Sequence, residues 1–314
     1  MNKQVKRIIV LLCLAALMIP CFTMAGFATE VEEEPADYVI DRDSPVYAAC
    51  DEVAQTIAAR HILVYDATDD EILYAKTVEG GKLYPASTTK LFSTYVALQH
   101  LDADTVITAG SELDLLDEGS SIAYIAKNNQ LTAAMLVEGM LLPSGNDAAL
   151  VLAAGAGRAI AGDESLAGPE AVQVFVEEMN RMGQELGLKD SQFCNPHGFH
   201  VGAHYSSVED MARMAKLALE NPIISRYMAR FEDDVIYASG HSIHWINTND
   251  LLNPESEFHY PGAIGMKTGR TSQAGYCLMS AFKVHGHKLV IGVFGYDNGN
   301  ARYRDVVSLL KACK

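Results

Sequence analysis

A chain of 314 residues, 49% of them hydrophobic, can bury a sizeable core as one large domain or two small ones. Its formal charge of −16, with no basic stripe, argues against a nucleic-acid partner.

Lys3, Lys6 and Arg7 precede an apolar run from Ile8 to Met18, and small residues follow at Ala25, Gly26 and Ala28. That order predicts a secretory signal peptide over 1–28, cleaved near Ala28. The alternative is an uncleaved membrane anchor, for which the run is short. Residues 29–45 are acidic and contain proline, which predicts a disordered linker. A first helix is expected over Val46 to Ala59. His61 to Asp66 and Glu71 to Lys76, joined by a polar turn, read as a β-hairpin. An apolar-periodic helix then starts near Ala86.

From about 102 to 250 the pattern is mainly helical. Helices are expected over Asn129 to Leu142, stopped by Pro143, over Asp147 to Ala161, over Pro169 to Leu186, ended by Gly187, and over Ser207 to Leu219. Three strands follow, Ile264 to Thr268, Tyr276 to Val284 and Lys288 to Tyr296, with turns at Gly269–Gln273 and His285-Gly286. A helix over Asn300 to Ala312 comes last. The two strand groups can form one antiparallel sheet if the helical block is an insertion, with the first and last helices on the same face.

Cys13 and Cys21 lie in the signal, leaving Cys50, Cys194, Cys277 and Cys313. Export makes disulfides possible. Cys277 reads as a small buried hydrophobe in a strand. Cys50 and Cys313 lie in the helices expected to pack together; a disulfide there requires Cα atoms within about 7 Å, and free thiols are the alternative.

Three short patterns sit at predicted element junctions: Ser87-Thr88-Thr89-Lys90, Ser144-Gly145-Asn146 and Lys267-Thr268-Gly269. Residues three apart share a helix face, so Ser87 Oγ can meet Lys90 Nζ, a nucleophile beside a base. The helix N-terminus adds N–H groups and a partial positive charge where an oxyanion would form. Singly, each pattern is commonplace: a chance helix spacing, a turn tripeptide, a strand end. Together and in this order they carry far more weight. Cys194, His197, His200 and His204 invite a zinc reading. Their spacing is loop-like and no Glu stands where a metalloprotease base would, so local hydrogen bonding is the expectation, with no metal and no cofactor.

With these three motifs the chain resembles the serine D-Ala-D-Ala carboxypeptidases, the low-molecular-mass penicillin-binding proteins. The resemblance extends over about residues 60–312, through Tyr84-Pro85-Ala86, Asn195-Pro196-His197-Gly198, Ser206 to Ala212 and Gly265 to Thr271. It implies an α+β fold of the β-lactamase/DD-peptidase type: an antiparallel sheet flanked by N- and C-terminal helices, with an inserted all-helical subdomain at about 100–250 within a catalytic domain over 46–314. The implied substrate is the D-Ala-D-Ala end of a peptidoglycan stem peptide, with β-lactams as inhibitors. The implied setting is extracytoplasmic, facing the wall, in wall building and cell shape. A membrane contact is expected only if the signal stays uncleaved.

Within that resemblance, Ser87 would attack the carbonyl and Lys90 would take its proton, provided that burial and a nearby cation, Lys267, keep Lys90 neutral. Ser144 would relay a proton from Lys90 to the leaving amine. Asn146 would hold the substrate backbone and fix Lys90. The backbone N–H groups of Ser87 and Arg270 would form the oxyanion hole, each such donor being worth about 3 kcal/mol. Thr268, with Arg270 or Lys267, would hold the terminal carboxylate, and the strand through Lys267, Thr268 and Gly269 would pair with the peptide. Arg270 departs from the family pattern. Two rivals remain: a class A-like β-lactamase, for which no Glu-x-x-Leu-Asn loop is found, and a non-catalytic cell-wall binding module.

Overall fold

Chain order sets the architecture. Helix α1 (Pro45–Ala54) starts behind Ser44, whose hydroxyl accepts from Tyr47 N, with proline in the first turn where its missing N–H costs nothing. Strands β1 (His61–Asp66) and β2 (Glu71–Lys76) form the expected hairpin. A 3-10 turn, Ala86–Thr89, leads into α2 (Lys90–His100). After β3 (Val106–Thr108) and β4 (Gln130–Thr132) come α3 (Ala133–Leu141), α4 (Asn146–Ala161), α5 (Gly168–Glu185), α6 (Val208–Glu220) and α7 (Pro222–Met228). Strands β5 (Glu232–Ile236), β6 (Ser242–Ile246), β7 (Ala263–Thr271), β8 (Gly275–Val284) and β9 (His287–Tyr296) precede α8 (Ala301–Ala312). The computed structural model describes residues 36–78 and 80–313. The expected signal peptide and the first part of the expected linker lie outside the described residues.

The main sheet has the order β2-β1-β9-β8-β7 and every pairing in it is antiparallel. Strand β1 is buried throughout because both sheet faces are covered. Ile62 and Val64 point to one face, where α1 and α8 supply Cys50, Ala54, Val306 and Leu310. Leu63 and Tyr65 point to the other, into the core built by the helical block around Phe92, Leu136, Leu152 and Met211. Helix α2 is therefore packed on nearly all sides, and the residue that begins it, Lys90, is fully buried.

The structure corrects several expectations. The first turn of the Ser87 helix is 3-10, not α. The inserted block is not all-helical: β3 with β4 and β5 with β6 form two antiparallel ribbons. The second ribbon hides in sequence because Glu232, Asp233 and Asp234 make it look like a loop, and only Val235 and Trp245 are buried in it. The helix expected from Asn129 begins at Ala133, where Thr132 caps it by accepting from Met135 N at 3.2 Å. Strand β7 continues to Thr271, so Gly269 and Arg270 are strand residues, not turn residues.

The segment from residue 36, expected to be disordered, is pinned to the surface. Lys189 Nζ meets Asp37 Oδ1 at 3.0 Å, Tyr38 OH donates to Asp70 Oδ1 at 3.0 Å, and Arg213 stacks over the Tyr38 ring. Cys50 and Cys313 are both free thiols, with their sulfurs 3.7 Å apart. No helix among the described residues is long and apolar enough to cross a membrane.

Candidate active site

Three loops meet at the Ser87 turn. Thr88 Oγ1 donates to Pro85 O at 2.7 Å, fastening the turn, and Ala86 adopts φ 48° immediately before the serine. That is the left-handed region, which costs a non-glycine residue energy and persists only where packing enforces it. Across the cleft Ser144 has φ 65°, in the bend between α3 and α4. These two of the non-glycine positive-φ residues thus flank the reacting position.

Lys90 Nζ is held by three oxygens: Ser87 Oγ at 2.9 Å, Asn146 Oδ1 at 2.7 Å and the His197 carbonyl at 3.1 Å. No carboxylate among the described residues is a direct partner. Burial, and secondarily the Lys267 charge, push the Lys90 ammonium well below its ordinary range, with Asp147 opposing. A neutral amine has two N–H donors and one lone pair. Asn146 Oδ1 and His197 O take the donors, so the lone pair is left for the Ser87 hydroxyl. His197 supplies this carbonyl because the turn is tied by Asn195, whose Oδ1 accepts from Gly198 N at 2.7 Å.

Asn146 begins α4. Its Nδ2 donates to Ser120 Oγ at 2.9 Å and its backbone N to Ser121 O at 2.8 Å. Ser121 Oγ in turn donates to Ser144 O at 2.7 Å. The next residue, Asp147, is 2% exposed and accepts from the backbone N–H groups of Ala123, Ile125 and Ala148. This carboxylate locks the segment carrying Ser120 and Ser121 onto the start of α4. It also explains the glycine in Ser144-Gly145-Asn146: a Cβ on Gly145 would lie 2.6 Å from Asp147 Oδ1 and 2.7 Å from Ala123 Cβ. Asp147→Asn puts an N–H where those amides need acceptors. It is expected to lower unfolding stability by about 2–3 kcal/mol, read as a fall in the urea midpoint.

Lys267 follows a break in the β7–β8 register between Ala263 and Met266, and such bulges re-aim the next side chain. It is fully buried, and its Nζ donates to Thr268 O at 3.2 Å and Thr248 Oγ1 at 3.5 Å. Burial, then the Arg302 charge, lower its pKa to about 7. Thr268 Oγ1 and Thr248 Oγ1 share a 2.6 Å hydrogen bond. Ser87, Ser121, Ser144, Thr248, Thr268, Arg270 and Arg302 are among the residues lining an open cavity of about 300 Å³.

All eight expected site residues gather here: Ser87, Lys90, Ser144, Asn146, Lys267, Thr268, Gly269 and Arg270. One expected contact is absent, since the Ser144 hydroxyl is not among the partners of Lys90. Sequence reasoning missed His197 O, Ser120, Thr248, Asp147 and Arg302. Arg302 starts the last helix, reaches Cys277 O at 3.0 Å and Gly269 O at 3.5 Å, and stacks with Arg270 against the Tyr276 ring. Its partners are carbonyl and phenol oxygens, so its charge has no carboxylate partner among the described residues.

The four residues that invited a zinc reading do not converge. His204 binds Thr89 Oγ1 and Cys194 N, and His197 accepts from Phe199 N. Among the described residues only Asp66, Asp69 and His287 bring three ligand-type atoms together, at a distant sheet end.

Similarity to known proteins agrees with this geometry. The family model described as D-alanyl-D-alanine carboxypeptidase, peptidase S11, matches residues 48–298. The D-alanyl-D-alanine carboxypeptidase DacF of Bacillus subtilis is 30% identical over 258 residues, 80% of this chain and 61% of that protein. The chain thus spans about three fifths of the length of that relative. A D-alanyl-D-alanine carboxypeptidase of Streptomyces sp. K15 is 32% identical over 252 residues, 76% of this chain and 81% of that protein. Among solved structures, the Streptomyces K15 DD-transpeptidase has TM-score 0.73 and 27% identity, covering 82% of this chain and 97% of that one. The chain belongs to the D-alanyl-D-alanine carboxypeptidase family.

Proposed function

We propose that this protein is a serine D-Ala-D-Ala carboxypeptidase that removes the terminal D-Ala of peptidoglycan stem peptides through a Ser87 acyl-enzyme. The observation that carries the reading is the 2.9 Å line from Lys90 Nζ to Ser87 Oγ, with both other bonds of that nitrogen going to acceptors. With the amine neutral, the hydrogen bond along this line runs from the serine hydroxyl to Nζ, which is the direction of proton transfer.

Ser87 Oγ attacks the carbonyl between the two D-Ala residues as Lys90 takes its proton. The backbone N–H groups of Ser87 and Arg270 receive the oxyanion. Strand β7 lies alongside the peptide as an added neighbour. Asn146 orients the substrate backbone, and Ser144, which lines the same cavity as Ser87, gives its hydroxyl proton to the departing amine and regains one from Lys90, a relay that needs the two side chains to close up on the bound peptide. Water then cleaves the acyl-enzyme. The catalytic domain is assigned to residues 46–314, and the N-terminal sequence pattern supports export to the wall, where this substrate lies.

The cavity carries cationic groups close to Thr268. Arg270 and Arg302 line it beside Thr268, and buried Lys267 bonds the Thr268 carbonyl, all three without a carboxylate partner among the described residues, in a chain of formal charge −16. That concentration fits a substrate ending in a free carboxylate. Arg302→Gln is expected to lower kcat/KM about 10–100-fold for such peptides, mostly through KM, as befits one lost charged hydrogen bond. Peptides ending in an amide should lose little.

The deciding experiment is intact-mass and peptide mapping after incubation with a labelled penicillin, paired with release of D-Ala from a D-Ala-D-Ala peptide. An adduct on Ser87 with slow D-Ala release, both lost in Ser87→Ala, is the expected result. β-Lactam hydrolysis faster than peptide turnover favours the β-lactamase reading. Binding of the peptide without adduct or turnover favours the wall-binding module.

A further inference from the structure

Helices α1 and α8 lie side by side on one face of the sheet, and each brings a cysteine to the same point. Cys50, in the middle of α1, is completely buried; Cys313, the residue that ends α8, is partly exposed. Their sulfurs are 3.7 Å apart, although the residues are 263 positions apart in the chain. The Cys313 thiol also donates to Leu309 O at 3.2 Å, a bond to the last helical turn that is easily exchanged. The other two described cysteines have no such neighbour. Cys277 faces the Tyr84 and Ala274 carbonyls, and Cys194 is a free thiol not paired with another cysteine among the described residues.

We infer that Cys50 and Cys313 form a convertible thiol–disulfide pair that staples the first helix of the folded domain to its last. A disulfide needs the sulfurs at about 2.05 Å, so the 3.7 Å gap closes by side-chain rotation and a small shift at the end of α8, where no further helical turn restrains Cys313. The oxidant is a small-molecule disulfide or a thiol–disulfide oxidoreductase. The Cys313 thiolate attacks one sulfur of the oxidant, forming a mixed disulfide and releasing the first thiol. Cys50 then loses its proton and attacks the Cys313 sulfur, closing the protein disulfide and releasing the second thiol. The two protein thiols lose two electrons and two protons, and the oxidant's disulfide gains both.

Closing so long a loop restricts the unfolded chain and leaves the folded one nearly unchanged. The staple also anchors the C-terminal end of the helix whose first turn carries Arg302 into the cleft.

The test uses the full chain, incubated either with oxidised glutathione or with dithiothreitol and then alkylated. Non-reducing peptide mapping is expected to find a Cys50–Cys313 cross-link only in the oxidised sample. Cys194 and Cys277 should stay alkylatable or separately glutathionylated. The oxidised protein should melt about 5–10 °C higher than the reduced one. That difference should vanish in Cys313→Ser, and in Cys50→Ala if that variant folds. Failure to cross-link wild-type protein while Cys313 alone becomes glutathionylated overturns the inference, as does a cross-link that leaves the melting temperature unchanged or lowered.

Discussion

Lys90→Met is expected to slow acylation of Ser87 at least about a thousandfold while leaving the fold intact. Methionine matches the buried stem of lysine in length and brings no charge into the core, so the loss reports chemistry. Lys90 is the base in this reading because its environment holds it neutral: burial leads, and the Lys267 charge adds to it. The acylation rate therefore rises with pH as Lys90 sheds its proton, at a pH well below that of an ordinary lysine. Lys267 loses its own charge near pH 7, the value to which burial and Arg302 bring it, so binding of the substrate carboxylate weakens above that pH. Stopped-flow acylation rates measured across pH should show the Lys90 rise in the wild type. A rising limb that appears only above pH 10 would mean that Lys90 is charged at working pH and that another base acts.

The same lysine carries a stability signature. Folding lowers the Lys267 pKa from 10.5 to about 7, so between those values the unfolded chain holds a proton that the folded chain lacks. Its contribution to stability thus rises with pH through that window and is least favourable below about 7. An uncompensated buried cation is retained at the expense of stability, as functional sites commonly are.

Gly198→Ala is expected to damage both stability and activity. Gly198 has φ +81°, and a Cβ there would lie 1.8 Å from Ala86 O, 2.4 Å from Ala86 C and 2.8 Å from Thr89 Oγ1. The contact is with backbone, so no side-chain rotation relieves it. Either the Ser87 turn or the turn at Asn195 to Phe199 must move, and the second carries the His197 carbonyl that holds Lys90. Strain and clash together should cost about 3 kcal/mol or more, a melting temperature lower by about 6–12 °C. Ser87 acylation should fall as well. An unchanged melting temperature would show that the two turns are not the rigid pair described above.

Much of the site was legible in the sequence because its parts are local. Ser87 and Lys90 are one turn apart, Ser144 and Asn146 share one bend, and Lys267 to Arg270 are consecutive. Side-chain periodicity puts Ser87 and Ser144 at element boundaries, but it ended the third strand too early, and Lys267 to Arg270 lie inside β7. Arg302 was not legible: it reaches the cleft only because α8 packs on the sheet beside β8, and nothing near it in sequence signals that. Asp147 stood in the sequence only as the start of an expected helix, and its role became visible only with the three amides that it accepts from. In the fold, β1, β2, β8 and β9 announced themselves by apolar runs. The ribbons did not, because β3 and β4 are three residues each and β5 is mostly charged. Local pattern sees neither short pairing nor charge that faces solvent.

The β1–β9 pairing has a consequence for how the protein comes to exist. His61 pairs with Phe294 and Asp66 with Leu289, so the centre of the sheet joins nearly opposite ends of the folded chain. Contacts of such long sequence separation form slowly, because chain closure costs entropy before any contact offsets it. During synthesis the Ser87 helix can form early, but the strands that bring Lys267 and the helix that brings Arg302 are the last to appear. A nascent chain therefore carries its nucleophile without the cations and the strand edge that activate it. The cleft is complete only after β9 has closed the sheet and α8 has packed on it.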